Sequence, residues 1–324
     1  MKRRQVLSSI AVIAGSCAVP ELYAQQQFPT RAVRVIVPFA PGGGTDNVGR
    51  IMCEELQKVL GQSFLVDNRV GANGRIGTEV VAKAQPDGYT LLVGGIGALT
   101  IAPHLEKVPY DADKDFTPIT LLGTADSILI VGPNVPVTNF AELLDYLRRE
   151  GGKASYGSSG PGGPYHMAGE LLKTMAKVEM THVPYRGDGA ALIDLMGGQI
   201  QLMFTSVSAG LPHLKAGKVR MVAGAGERRT PIFPDIKTIA EQGFPGFSAD
   251  SWVGVFGPAG LPPKVTENLH QAMANILANE SIKQKLAAQG ITALGWGPLE
   301  LRRFVNGESE KWGKLIRERG LKGA

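Results

Sequence analysis

The feature that most limits what this chain can fold into is a device it uses twice. A short aliphatic or β-branched run enters a glycine-rich loop and leaves it as an amphipathic helix. The first copy is VIVPFAPGGGTD, Val35 to Asp46, and the second is ASYGSSGPGGPYHMAGELL, Ala154 to Leu172. Between and around them the alternation continues, with strand-like SFLVDNR, YTLLVGG, IQLMFTS, VRMVAGAG and SWVGVFGP separated by helical periodicity such as NVGRIMCEELQKVLG and FAELLDYLRREGG. Near-continuous apolar runs suit strands covered on both faces, as in parallel sheets. The 42 glycines and 21 prolines fall between these runs, where βα and αβ turns need them. The expectation is a doubly wound α/β chain.

Its 324 residues allow two domains. Extended crossings near Leu121 to Val131 and near Val222 to Thr230 divide it into two lobes. One is built from both ends, residues 25–124 and 226–324, and the other from residues 125–225. A continuous division into N-terminal and C-terminal domains stays open from periodicity alone.

Residues 1–24 stand apart. Lys2, Arg3 and Arg4 precede an apolar stretch from Val6 to Val19, and cleavage sites follow Ala24 or Ala18. That pattern reads as a secretory signal, with an RRQVL start that the twin-arginine route would accept. The apolar stretch is short for a membrane span. Removing residues 1–24 leaves 31 basic against 28 acidic residues, a net charge of +3 instead of +5. Without a basic stripe, nucleic acid is not an expected partner. Cys17 leaves with the signal, so Cys53 has no intrachain partner and reads as a small core residue.

In open α/β sheets, ligands bind beyond the carboxyl ends of the strands, where free amides and the helix dipole favour an anion. The loop Phe39, Ala40, Pro41, Gly42, Gly43, Gly44, Thr45 and Asp46 fits that role. Its glycines permit close approach and positive φ, and Asp46 or Thr45 is placed to cap the helix. The second loop offers Ser158, Ser159, Gly160 and Gly162 before a helix starting near Tyr165. Phe39, Tyr165 and His166 flank these loops as pocket walls.

Other chemistries lack their residues. Lys153 and Lys218 follow glycines, but Ala154 and Val219 stand where a phosphate loop needs a hydroxyl, and GGGTDN lacks the third glycine of a dinucleotide turn. No cofactor is expected. A serine nucleophile at Ser158 or Ser159 with His166 is the enzymatic rival, but Pro161 breaks the nucleophile-elbow pattern. The five histidines are scattered, and Phe116 replaces the glycine that DADKD, Asp111 to Asp115, would need for calcium. No metal is expected.

The chain resembles the tripartite tricarboxylate transporter receptors, the Bug-type periplasmic solute-binding proteins. FPTRAVRVIVPFAPGGGTD, VDNRVGANGRIGTEVVAKAQPDGYTLL, APHL, DFTPIT, YGSSGPGGPYHMAGELL, VPYRGDGAALIDLMGGQI, LPHLKAGKVR and GPAGLP occur in family order across nearly the whole mature chain. The resemblance implies a type II periplasmic-binding-protein fold with a two-segment hinge. It also implies a mono-, di- or tricarboxylate held mostly by main-chain amides, and delivery to the membrane subunits of a transporter. Residues 39–46 and 158–166 match the family's two carboxylate loops, and Ile96, Gly97 and Ala98 match a third contact region. A fourth follows QLMF, where many members carry an acidic or amide residue and this chain has Thr205 and Ser206. That departure counts against amino-acid ligands. A monomer in the periplasm is expected, with a carboxylate sensor as the alternative role.

Overall fold

The computed structural model describes residues 28–323, so the expected signal segment, residues 1–24, lies outside the described residues. Two mixed sheets carry the architecture. The strands are β1 (Val33–Val37), β2 (Phe64–Asn68), β3 (Thr90–Gly95), β4 (Phe116–Ala125), β5 (Ser127–Val131), β6 (Ser155–Ser158), β7 (Thr181–Pro184), β8 (Leu202–Ser206), β9 (Arg220–Gly224), β10 (Ser251–Pro258) and β11 (Ile291–Trp296). The first sheet has the order β11-β4-β10-β3-β1-β2 and the second β7-β6-β8-β5-β9. The first therefore draws on both chain ends and the second on the middle.

The sheets are not wholly parallel. β1 pairs parallel with β2 and β3, and β6 with β7 and β8, but β10 runs antiparallel to β3 and β4, and β5 antiparallel to β8 and β9. The reason is topological. Most strands native to a lobe run toward the edge where the chain crosses, whereas β5 and β10 arrive from the other lobe and begin at that edge; β11, which returns after α9 and pairs antiparallel with β4, is the exception. The expectation of buried strands holds for VRVIV, whose alternate faces are both covered. Only the directions differ.

The helices are α1 (Gly44–Leu60), α2 (Arg75–Ala82), α3 (Ala102–Leu105), α4 (Phe140–Glu150), α5 (Pro164–Ala176), α6 (Asp188–Met196), α7 (Val207–Lys215), α8 (Pro263–Ala278), α9 (Glu280–Ala287) and α10 (Pro298–Arg319). Local chemistry sets several boundaries. α1 stops at Gly61, whose φ of 70° needs no Cβ and whose N–H reaches the Gln57 carbonyl. α4 starts with a reciprocal cap, Glu142 N donating to Asn139 Oδ1 and Thr138 N to Glu142 Oε2. Cys53 is buried on the inner face of α1, and burial pushes its thiol up to about 12.

α10 spans the lobes. Its Leu301, Val305, Trp312 and Ile316 belong to one apolar cluster that also holds Leu92 and Phe116 of the first sheet and Leu129 and Phe204 of the second. Its last residue, Arg319, donates from Nε to Glu170 Oε2 on α5 at 3.1 Å. The chain's tail therefore does more than complete the first lobe.

On the inner face of α5, a Cβ built on Gly169 would stand 2.2 Å from the Tyr156 ring. Gly169→Val is expected to lower Tm by roughly 5 °C or more, through overpacking of about 1–3 kcal/mol. Gly307→Ala, on an α10 face with nothing within 4 Å, is the control and is expected to be neutral or stabilising. Equal melting temperatures for wild type and Gly169→Val would show that the Tyr156 contact yields freely.

Candidate functional site

The carboxyl ends of β1, β3, β6, β7 and β8 meet the starts of the helices and turns that follow them, and this edge carries every loop singled out in the sequence. The first loop is held from beneath by Asp46. Its Oδ2 accepts from Gly42 N and from Arg50 Nε, each at 2.8 Å, and its Oδ1 from Asn68 Nδ2 at 2.8 Å. Asn68 Nδ2 also donates to the Phe39 carbonyl. Burial pushes the Asp46 carboxyl up, but the bonds from Arg50, Asn68 and Gly42 outweigh it and hold the group below the usual carboxylate range.

This corrects two expectations. Asp46 is not the helix cap: the cap position is Gly43, which has no side chain to offer, and Asp46 sits in the first turn reaching back to the loop. Nor is the whole glycine run of amides open to a ligand. Gly42 N is spent on Asp46 and Gly43 N on the Ala40 carbonyl. Among the described residues, the amides of Gly44, Thr45 and Asp46 take no partner, as the first turn of a helix dictates. Ala40, Pro41 and Gly44 are exposed, and the half-buried Phe39 ring approaches Gly74.

The second loop is more self-contained. Ser158 is fully buried, with Oγ 2.7 Å from His182 Nε2 and also bonded to Gly160. Gly162 N donates to His166 Nδ1 at 2.9 Å, and Gly163 N to the Gly160 carbonyl. The His166 and His182 rings stack with centroids 4.0 Å apart. Desolvation lowers both, aided in His182 by its neighbour His166, and takes His182 to about 4. Two neutral rings therefore brace the loop. Ser158, Gly160 and Gly162 do not present free donors as the sequence reading expected, and Ser158 pairs with His182 rather than His166. A hydroxyl sealed from solvent is not a nucleophile for an incoming substrate. The open donors on this side are the amides of Tyr165 and His166 at the start of α5, while the half-buried Ser159 hydroxyl faces the Asp188 carboxyl.

The remaining expected residues surround these. Ile96 and Ala98 are buried, their carbonyls taken by Thr100 Oγ1 and Tyr110 Oη, which leaves Gly97 as the accessible member. Tyr165 is buried with its hydroxyl near Ser206, and burial raises its pKa. Ser206 also caps α7, accepting from Ala209 N. Thr205 is buried and donates from Oγ1 to Asp188 Oδ2 at 3.4 Å. The structure thus brings the first loop, the Gly97 turn, the second loop and the end of β8 to one edge.

Sequence reasoning missed four members. Asn73, at φ 52°, donates from Nδ2 to the Pro161 carbonyl at 3.1 Å and so links the lobes beside a cavity of about 80 Å³ lined by Gly97, Leu105 and Gly162. Asn68 and His182 brace the two loops from neighbouring strands. Asp188 enters from the start of α6, and its place in RGDG, after a glycine and before a helix, was the available signal. A larger cavity, of about 330 Å³, lies apart from the glycine loops, at the chain crossings, lined by Asp126, Arg228, Asp250, Trp296 and Phe304 among others.

Comparison with known proteins places the chain in a family. The profile of the family described as "Tripartite tricarboxylate transporter family receptor" matches residues 48–321. A protein from a Pseudomonas species, "UPF0065 protein in tcbD-tcbE intergenic region", is 37% identical over 317 residues, which is 98% of this chain and 94% of the relative. Among solved structures, "R. palustris Rpa4515 with adipate" superposes with a TM-score of 0.81 at 36% identity, covering 91% of this chain and 99% of that one. The structure "MatC (Rpa3494) from Rhodopseudomonas palustris with bound malate" gives 0.77 at 34%, covering 89% and 100%.

Proposed function

The chain belongs to the tripartite tricarboxylate transporter receptor family, and on that premise we propose that it binds a small organic carboxylate at the edge where its two lobes face each other. It is a receptor, not an enzyme, and the bound ligand would pass to the membrane subunits of a tripartite tricarboxylate-type transporter. The observation that carries the site is the set of open first-turn amides at Gly44 to Asp46 on α1, held in place by the Asp46–Asn68–Arg50 clamp. Uncharged amides solvate a carboxylate without a buried counter-ion, each contributing about 1.5–3 kcal/mol. Micromolar affinity needs about 8 kcal/mol, so a few such bonds plus apolar enclosure suffice after ordering costs. Tyr165 and His166 amides, Ser159 and Gly97 would complete the contacts.

The lobe boundaries we favour remain 25–124 with 226–324 and 125–225, with α10 as a strap between them. Hinge closure on the ligand would then follow from contacts that exist only with the lobes together, such as Asn73 to Pro161. The structural relatives named above were solved with adipate and malate, which supports an aliphatic dicarboxylate frame for the ligand here. Export by the N-terminal signal and a monomeric mature protein belong to the same reading.

The test is a thermal-shift screen of the mature protein with acetate, succinate, malate, adipate, citrate, glutamate, terephthalate and nicotinate, followed by titration calorimetry. A saturable Tm rise of several degrees with one carboxylate class is the expected result. No rise with any of them, in protein shown to be folded, would sink the reading. Light scattering and intact mass on the same exported sample should report a monomer beginning at Gln25.

A further inference from the structure

The larger cavity, of about 330 Å³, takes no part in the carboxylate reading, yet it has the size and the mixed apolar and polar lining of a small-molecule site. Its walls are the two segments by which the chain crosses between lobes, the stretch that leaves β9, the strand β11 and α10. On the apolar side, Trp296 is 36% exposed. Its ring stands edge-on to Phe304 with centroids 5.7 Å apart, and Phe304 in turn meets Trp252 at 5.8 Å. A ladder of rings therefore runs from the cavity wall into the core and leaves its outermost member partly uncovered.

On the polar side stand Asp126 and Asp250, one from each crossing. Ser127 N donates to Asp250 Oδ1 at 2.8 Å, and Thr292 Oγ1 to Asp126 Oδ1 at 3.3 Å, with the Thr230 hydroxyl as a further donor to Asp126. All three donors are neutral. Among the described residues, neither carboxyl forms an ion pair, although the two are near enough for the charge on Asp126 to raise Asp250. The bases around them are engaged elsewhere or exposed. Lys311 holds Glu308 and the Ser248 carbonyl, Arg229 holds Glu241 through two bonds of 3.0 and 2.9 Å, and Arg228 is exposed. Two neighbouring carboxyls that repel each other and share an enclosure are both relieved by a cation placed between them.

Carboxyls with only neutral donors, facing a partly uncovered aromatic wall, are complementary to a cation carried on a flat apolar body. We propose that this cavity binds a small organic cation of the amidinium or ammonium class, its nitrogens shared between Asp126 and Asp250 and its body against Trp296 and Phe304. The site is separate from the carboxylate-binding edge, and neither reading depends on the other.

Benzamidine and benzamide share a ring and a planar head and differ in charge, so the pair isolates the charge. Both are titrated by calorimetry into wild type, Asp126→Asn, Asp250→Asn and Trp296→Ala, each shown folded by circular dichroism. The titrations run at pH 9, above the value of about 8 to which burial pushes Asp250. Wild type is expected to bind benzamidine saturably, with a Kd of about 1 mM or below, and about 10-fold tighter or more than benzamide, the worth of a bond to a charged group. An asparagine at either place still accepts from the neutral donors but carries no charge, so each substitution should remove most of that preference. Trp296→Ala should weaken both probes together. Equal affinity for the two probes, no saturable benzamidine binding by folded wild type, or a preference that survives both asparagine substitutions would overturn the proposal.

Discussion

Asp46→Ala is expected to weaken carboxylate binding by about 10- to 100-fold and to destabilise the protein by about 2–4 kcal/mol, although the Asp46 side chain touches no ligand in the arrangement proposed. The substitution strands three donors at once: Gly42 N, Asn68 Nδ2 and Arg50 Nε. Losing the buried carboxylate of a part-buried polar network leaves its donors with a desolvation penalty, which is why such changes lie in the large tail of mutational effects. Binding falls for a separate reason. Gly42 N fixes the turn that aims the Gly44, Thr45 and Asp46 amides, and an amide displaced by an ångström no longer meets the same oxygen. Asp46→Asn keeps acceptor capacity but loses the charge facing Arg50, so it should fold and bind at an intermediate level. Denaturant melts and calorimetry with the carboxylate identified in the screen check both parts. Full affinity in a folded Asp46→Ala protein would mean that the loop holds its shape without the clamp.

The second large effect concerns pH. Asp250 precedes β10 and accepts from Ser127 N, at the start of β5, at 2.8 Å, so it pins together the two segments by which the chain crosses between lobes. Enclosure of its carboxyl pushes it up to about 8, the Ser127 bond opposes this, and the nearby Asp126 adds to the rise. In the unfolded chain the same group titrates near 4. Between those values the folded state holds more protons than the unfolded one, so stability is present at the acid side of the window and is lost as pH rises through it. Wild type is expected to lose on the order of 1–3 kcal/mol between pH 6 and pH 9. Asp250→Asn, which still accepts from Ser127 N and carries no charge, should show a flatter profile and the higher Tm at pH 9. Asp126 and Asp188 are also raised, so Asp126→Asn and Asp188→Asn profiles separate their shares. Identical flat profiles for wild type and Asp250→Asn across this range would refute the assignment.

The sequence alone determined a great deal here, because strands, helices and turns are local matters. Val33–Val37 declares itself by β-branched side chains, α4 by its Asn139 and Glu142 cap, and α1 by a stripe that ends at Gly61. The two glycine loops and the crossings between lobes were legible for the same reason, and their order along the chain was enough to carry the family resemblance.

What only the tertiary structure decided is how the polar groups are shared out. The sequence shows a row of glycine amides but not that Asp46 claims one and Ala40 another. It shows Ser158 near His166, yet β7 beside β6 brings His182 to that hydroxyl. It shows no acid after β8, while the fold delivers Asp188 to Thr205. A buried donor or acceptor must find a partner wherever the packed strands place one. Which partner it finds depends on sheet order and strand direction, and those are fixed by contacts between segments far apart in the chain.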